Sequence, residues 1–467
     1  MRKTAVLLLI LLLIGAGSFV FIHCTLLAER DQVKYTEEIL YGNKEVASGL
    51  SVHCGMENDG HLVWDTTFSP QDIEQAQTQY AFFSEKVNWS RETMYLGVVL
   101  ENYFEYGCNF EEPAEKQEGL AKAYKELYDK TPIGEESSMT IQLKDYYEYY
   151  PLHIQLSIPG FEHFHFEIQE TNSSIYDPFM ALFRFPLLGD EKVEISIDRK
   201  SSDAIGIGSG TEDHFELYTE SVITADAVYF TFNTHAKMSS VQEFRVIDTS
   251  QIPGGYGIYK LPYGKDEEGE TVVFADQLEM VYGLDPQIFF QGIYLNDHED
   301  KVLLFTTEEN REILTIIDLE SMRTLQRIEL TDGRNDVQMY NVTIQEKFVV
   351  LGFSDDRIML LEETENGTYE VRISVYNAVK DISNDYSHML NDDYSAVAYD
   401  GKRLAIVSQV SNEQWSNVLL GDVLVSVFDQ NGLQYCGRYN STLTDQIGPN
   451  EYRYFNRKYG PLQASWN

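Results

Sequence analysis

Cysteine, proline, basic side chains and long apolar runs are all scarce in this chain. Four cysteines in 467 residues cannot form the disulfide framework that holds small secreted domains together. Cys24 falls in an apolar N-terminal stretch and Cys436 has no evident mate, which leaves Cys54 and Cys108. Those two are either a pair, in an oxidising exterior, or two buried thiols. Only 35 lysines and arginines stand against 75 acids, a net charge of −40. Nucleic acid and bare anionic lipid would both be repelled by such a body, whereas cations and basic surfaces are suitable partners. The chain also has no G-x-S-x-G nucleophile elbow, no G-x-G-x-x-G fingerprint and no Asp-x-Asp-x-Asp-Gly calcium loop, so no catalytic residue and no cofactor is indicated by motif.

The one long apolar run is at the N-terminus. Arg2 and Lys3 precede eighteen uncharged residues, Ala5 to Ile22, and neither Asp, Glu, Lys nor Arg returns until Glu29. A helix of that length crosses about 30 Å of hydrocarbon. The flank Leu26-Leu27-Ala28 lacks a small-x-small cleavage site, so a signal anchor over residues 1–28, with its helix at about 5–22, is expected in preference to a cleaved signal peptide. Phe21, Ile22 and His23 before Cys24 do not make a lipoprotein box, and Cys24 reads as a cysteine at the membrane edge. Basic residues before the span and acids after it predict a single-pass topology, with the N-terminus cytoplasmic and the body extracytoplasmic.

The body has the means to fold, since 43% of the chain is hydrophobic and 13% aromatic. Residues 29–135 read as a mixed α/β region with two helices. Ser69-Pro70-Gln71-Asp72 has the cap, proline and acid of a helix start, predicting a helix to about Ser84. Pro113 to Lys130 places Leu120, Ala123, Tyr124, Leu127 and Tyr128 on one apolar stripe. Gly49 to Phe68 reads as a hairpin turned at Asn58-Asp59-Gly60, and Met94 to Leu100 as a buried strand. Residues 136–467 form short runs of Val, Ile, Tyr, Phe and Thr closed by Gly, Asn or Asp, the pattern of repeated antiparallel hairpins, with no long helix expected. Val222–Phe232, Ile293–Thr306, Val342–Phe353 and Ala396–Ser408 are alike, each strand, turn, strand. Their second strands begin near Val228, Val302, Phe348 and Leu404, an irregular period of about fifty residues that suits propeller blades with loop insertions.

Ile316-Ile317-Asp318-Leu319-Glu320 followed by Thr324-Leu325 resembles the strand, Asp turn, strand ending of blades in the YVTN and WD-type β-propellers. The resemblance covers one blade well and three others loosely, without the Gly-His and Trp-Asp marks. It implies a ring of four-stranded sheets with a binding face. The expected fold is therefore mainly β, an irregular β-propeller-like domain (136–467) behind a small mixed α/β region and one transmembrane helix. A tandem of β-sandwiches is the alternative.

Several local patterns carry chemistry. In Phe161–Ile168, strict alternation puts His163, His165 and Glu167 on one strand face; these are ligand types for zinc, but no third and fourth ligand is marked and a solvated strand face is the preferred reading. Tyr146, Tyr147, Tyr149 and Tyr150 are either a stacking platform for sugars or peptides or tyrosines on both faces of a strand. Gly206-Ile207-Gly208-Ser209-Gly210 reads as a mobile turn. Asp297–Asp300 and Asn391–Asp393 are acidic turns without a complete calcium loop. Asn-x-Ser/Thr triplets start at Asn88, Asn172, Asn341, Asn366 and Asn440, of consequence only in a eukaryotic exterior. The function expected is a membrane-anchored extracytoplasmic binding or assembly module that takes protein or glycan on a propeller face. An extracytoplasmic hydrolase or other enzyme is the alternative.

Overall fold

The computed structural model describes residues 2–30, 35–58, 62–82, 97–102, 108–159, 166–168, 173–189, 191–201, 205–210, 217–237, 244–333, 337–377, 395–411, 419–441, 457–459 and 462–467, with a few single positions between them. The chain is mainly β, built from antiparallel sheets, and opens with helix α1 (Arg2–Arg30). Within α1, Val6–Thr25 has a mean hydropathy of 2.6 and buries none of its surface in the protein. It is long and apolar enough to cross a membrane, as either an anchor or a signal sequence would be.

The body divides into two compact units, residues 1–92 with 336–467, and residues 93–335. In the first, Met339–Gln345, Phe348–Phe353, Arg357–Glu363 and Tyr369–Tyr376 make a four-stranded meander in chain order, the form a propeller blade takes. A second sheet runs Ser395–Tyr399, Leu404–Ser411, Leu419–Asp429, Gly432–Ser441, and its fifth strand is Tyr35–Gly42, from the start of the body. Glu37 fastens that strand: one carboxylate oxygen accepts from the hydroxyls of Tyr435 (3.3 Å) and Tyr439 (3.2 Å), the other from Lys44 Nζ (3.1 Å). Val350, Leu360 and Ile373 of the meander share one core with Ile406, Leu424 and Phe428. Phe348–Phe353 is buried along its whole length, so a continuous apolar run is what its environment demands.

The second unit contains another complete meander, Phe289–Leu295, Lys301–Glu308, Arg311–Asp318 and Arg323–Glu329. Beside it are a sheet led by Thr219–Ile223 and Ala227–Phe232, one of Gly97–Asn102, Leu152–Ser157 and Phe166–Ile168, and one of Glu136–Gln142, Lys192–Arg199 and Ile205–Gly210. Helix α2 (Gly119–Lys130) buries Leu120, Ala123, Tyr124 and Leu127 in the core of this unit, the stripe expected from its spacing.

Three expectations need correction, and one short helix stands where none is expected. The helix from Ser69 does not form: Leu62–Ser69 and Asp72–Phe82 are paired strands, with Ser69 opposite Asp72. Pro70 presets the backbone of a tight turn as readily as that of a helix start. Gln71 is held there by Ser48 Oγ (2.9 Å) and Glu45 (3.1 Å), while Ile73 and Ala76 pack into the sheet core. A helix absent from the reading, α3 (Ser173–Leu182), carries Pro178 inside it. Its loss of a donor is offset by Phe179, wholly buried against Phe183 and Phe230. Residues 206–210 are not a turn but most of the strand Ile205–Gly210, paired in full register with Lys192–Arg199. Finally, Tyr146–Tyr150 follows a 3-10 turn (Leu143–Asp145) and is not a strand.

Candidate functional site

Three sheets of the 93–335 unit bring edge strands together. Gly97–Asn102, Thr219–Ile223 and Phe289–Leu295 each pair with a described strand on one side only. Such an edge leaves alternate N–H and C=O groups without ladder partners, and buried ones must be satisfied some other way. Side chains alternate along Thr219–Ile223, and that alternation supplies both neighbours.

Thr219 and Ser221 serve the first neighbour. Thr219 Oγ1 accepts the Leu100 N–H (3.0 Å) and donates to the Val98 carbonyl (2.9 Å). Ser221 Oγ accepts the Val98 N–H (3.1 Å) and lies 3.0 Å from the same carbonyl. The approach requires glycine at 97, whose φ is +126° and where a Cβ would lie 2.3 Å from Ser221 Cβ. Asn102 extends the seam, its Oδ1 accepting the Leu217 N–H at 2.8 Å and its Nδ2 donating to the Phe215 carbonyl.

Glu220 turns to the other neighbour. Its Oε2 accepts the Ile293 N–H at 3.4 Å, a weak bond, and its second oxygen has no hydrogen-bond partner among the described residues. Val222, two residues on, packs against the same neighbouring core as Phe290 and Ile293. Tyr218, two residues before Glu220, is fixed through its backbone, donating its N–H to Asn233 Oδ1 (2.7 Å). Its side chain is 42% exposed, and no described group bonds its hydroxyl. Burial pushes the Glu220 carboxyl above its usual range, the Ile293 bond acting weakly the other way. Burial, then the nearby Glu220 charge, pushes the Tyr218 phenol up as well. Tyr256, raised by burial and sensitive to Tyr218, donates to the Ile288 carbonyl at 3.2 Å. The result is a carboxyl that holds its proton more strongly than an exposed glutamate does, beside an unengaged phenol. Together they offer a carboxyl oxygen and a phenol hydroxyl that no described group engages.

The residues singled out from sequence are placed differently. His163 and His165 lie outside the described residues. Glu167 stands in the strand Phe166–Ile168, opposite Gln155. Among the described residues no group of three or more His, Cys, Asp or Glu is arranged to hold a metal. Tyr147 and Tyr150 are taken up by the interior: the Tyr147 hydroxyl accepts a first-turn N–H of α2, that of Leu120 (2.8 Å), and Tyr150 donates to buried Glu191, which also accepts the Phe215 N–H (2.8 Å). Tyr149 instead meets Arg184, 5.9 Å from its ring centre, so four rings do not form one platform. In the turn Asp297–Asp300, burial would raise Asp300, but hydrogen bonds from Asn296 and Lys301 outweigh it and hold the carboxyl low. Asp300 is thus engaged by its own neighbours. Asn391–Asp393 lies outside the described residues. Cys54 and Cys108 are thiols on separate units, and Asn341, a triplet asparagine, is buried.

No family model and no curated protein matches this chain. Solved structures resemble it at low scores. A Lactobacillus plantarum protein is 6% identical over 84% of this chain and 99% of its own, TM-score 0.30. The Cps50 (Swd1) β-propeller domain of Myceliophteria thermophila is 10% identical over 55% and 83%, TM-score 0.24. TolB from Acinetobacter baumannii is 8% identical over 89% and 82%, TM-score 0.21. Likeness at these scores assigns no family and no activity, and the fold class rests on the sheets themselves.

Proposed function

We propose that this chain is a membrane-anchored, extracytoplasmic binding module, held by Val6–Thr25 with the N-terminus in the cytoplasm, and that Tyr218 and Glu220 contact a neutral, polyhydroxylated ligand such as a glycan. The observation that carries the reading is the pair itself: a burial-raised carboxyl with one weak bond and an exposed phenol with none, two residues apart where the strand Thr219–Ile223 begins. A hydroxyl-rich ligand supplies donors and acceptors to both, and a sugar face packs on the Tyr218 ring. The two meanders and the apolar helix are consistent with a propeller-like body on a tether.

The raised carboxyl also favours a second reading, in which Glu220 is the general acid of an extracytoplasmic hydrolase. One experiment separates them. The full chain in detergent is presented to an array of neutral glycans, and hits are incubated and checked for cleavage. Capture without cleavage, weakened at least tenfold in both Tyr218→Ala and Glu220→Gln, supports the module; cleavage lost in Glu220→Gln supports the hydrolase. Capture indifferent to both substitutions contradicts both readings.

A further inference from the structure

The strand Ile205–Gly210 is an edge of a different kind. It pairs with Lys192–Arg199 through all six residues without a bulge, and no described strand pairs its other side. Natural edges are blunted by charge, proline or bulges; Ile-Gly-Ile-Gly-Ser-Gly has none of the three. Gly206, Ile207, Ser209 and Gly210 are exposed. One carbonyl is already taken, that of Gly208, which accepts from the hydroxyl of buried Tyr124 at 3.0 Å.

Register gives the solvent face of this sheet a definite layout. Glu136, Asp198 and Gly206 form one row across the three strands, Ser138, Ser196 and Gly208 the next, and Thr140, Glu194 and Gly210 the third. The opposite face is the apolar one, with Ile141, Val193, Ile195 and Ile197 in the core of the unit. On the solvent face the glycine strand carries no side chains, so carboxylates stand one strand in from the edge with only backbone between them and solvent. Lys192 and Lys200 flank the face at its ends, Lys200 lying 3.3 Å from Asp198.

We infer that this edge takes up an extended, cationic segment of a partner protein as an added strand. A new strand would lie about 4.8 Å outside the glycine strand. A lysine or arginine opposite Gly206 or Gly210 would lie over the glycine with its stem and reach Asp198 or Glu194 with its head, a span that suits long basic side chains. The middle position admits only a small residue, because Ser196 Oγ already leans over Gly208, 2.5 Å from where a Cβ would be. The recognised pattern is therefore two cationic residues four apart with a small residue midway. A second copy of this chain is disfavoured by its own charge of −40. The inference stands apart from Tyr218 and Glu220, which belong to another sheet.

The test uses the full chain in nanodiscs of zwitterionic lipid at about 0.15 M salt, where diffuse attraction is screened beyond ~8 Å. The probe is a capped nine-residue peptide of valine and threonine with lysines four apart and glycine midway. Its control carries the same charge but has alternate backbone amides N-methylated along each edge in turn. The expected result is binding that falls at least tenfold when the pairing edge is methylated. It should fall similarly in Ile207→Lys and in Ser209→Lys, either of which serves if the other misfolds, and stay unchanged in Glu267→Lys/Glu268→Lys on an exposed turn outside this sheet. Absence of binding, equal binding of methylated and parent peptides, or an equal loss in the turn variant would overturn the inference.

Discussion

Two edge strands of the same unit, Thr219–Ile223 and Ile205–Gly210, meet the same physical problem with opposite outcomes. Both leave one side of a sheet without a described partner strand. At the first, side chains substitute for the missing ladder, with Thr219 and Ser221 serving Val98 and Leu100, and Glu220 serving Ile293. At the second, three of six side chains are absent and the backbone stays open to solvent. The first edge is therefore structural on the Thr219 and Ser221 side, with chemistry left over only where Glu220 and Tyr218 are incompletely bonded. The second gives one carbonyl, that of Gly208, to Tyr124, and no described strand pairs its outer side.

The sharpest way to break that comparison is to remove the substitutes. Thr219→Val with Ser221→Ala leaves the N–H groups of Val98 and Leu100 without acceptors in a part-buried seam. The expected loss is about 2–6 kcal/mol in urea unfolding, at about 1–3 kcal/mol for each of the two orphaned groups. Gly97→Ala should cost about 1–3 kcal/mol through its backbone conformation, with the contact on Ser221 adding to it, read from the same titration. A smaller effect, with a sign set by pH, is expected at Glu220. Its folded pKa is raised, so its contribution is favourable below the unfolded carboxylate value of about 4.3 and is lost as pH rises through the folded value. Glu220→Gln should accordingly stabilise the chain at pH 7 and be neutral or destabilising near pH 4, by melting temperatures across that range. Smallest of all, Ile207→Lys should leave stability within about 0.5 kcal/mol of wild type, as expected for an exposed position outside any network.

Much of the β architecture is legible in the residues because the central strands are buried on both faces. Lys301–Glu308 and Arg311–Asp318 are nearly continuous apolar runs between turn residues, and their limits fall within a few positions of those expected. The errors have definite causes. Ser69-Pro70-Gln71-Asp72 suits a turn and a helix start equally, and pairing with Leu62–Ser69, a tertiary contact, decides it. A glycine-rich run looks like a turn until its neighbour strand is known, because an edge strand needs no side chains to pair. Tyr218 and Glu220 sit in Tyr-Thr-Glu-Ser-Val, an unremarkable alternating strand. Their significance comes from which strand lies on each side, and that is not written locally.

Amide hydrogen exchange of the full chain, resolved to single residues, tests the contrast between covered and bare edges most directly. The amides of Val98 and Leu100, held by side-chain oxygens, should exchange orders of magnitude more slowly than the outward-facing amides between Ile205 and Gly210, with Ile293 between the two because its bond to Glu220 is long. Equal exchange at Val98, Leu100 and the outward amides of Ile205–Gly210 would contradict the account, since the two edges would then be covered alike.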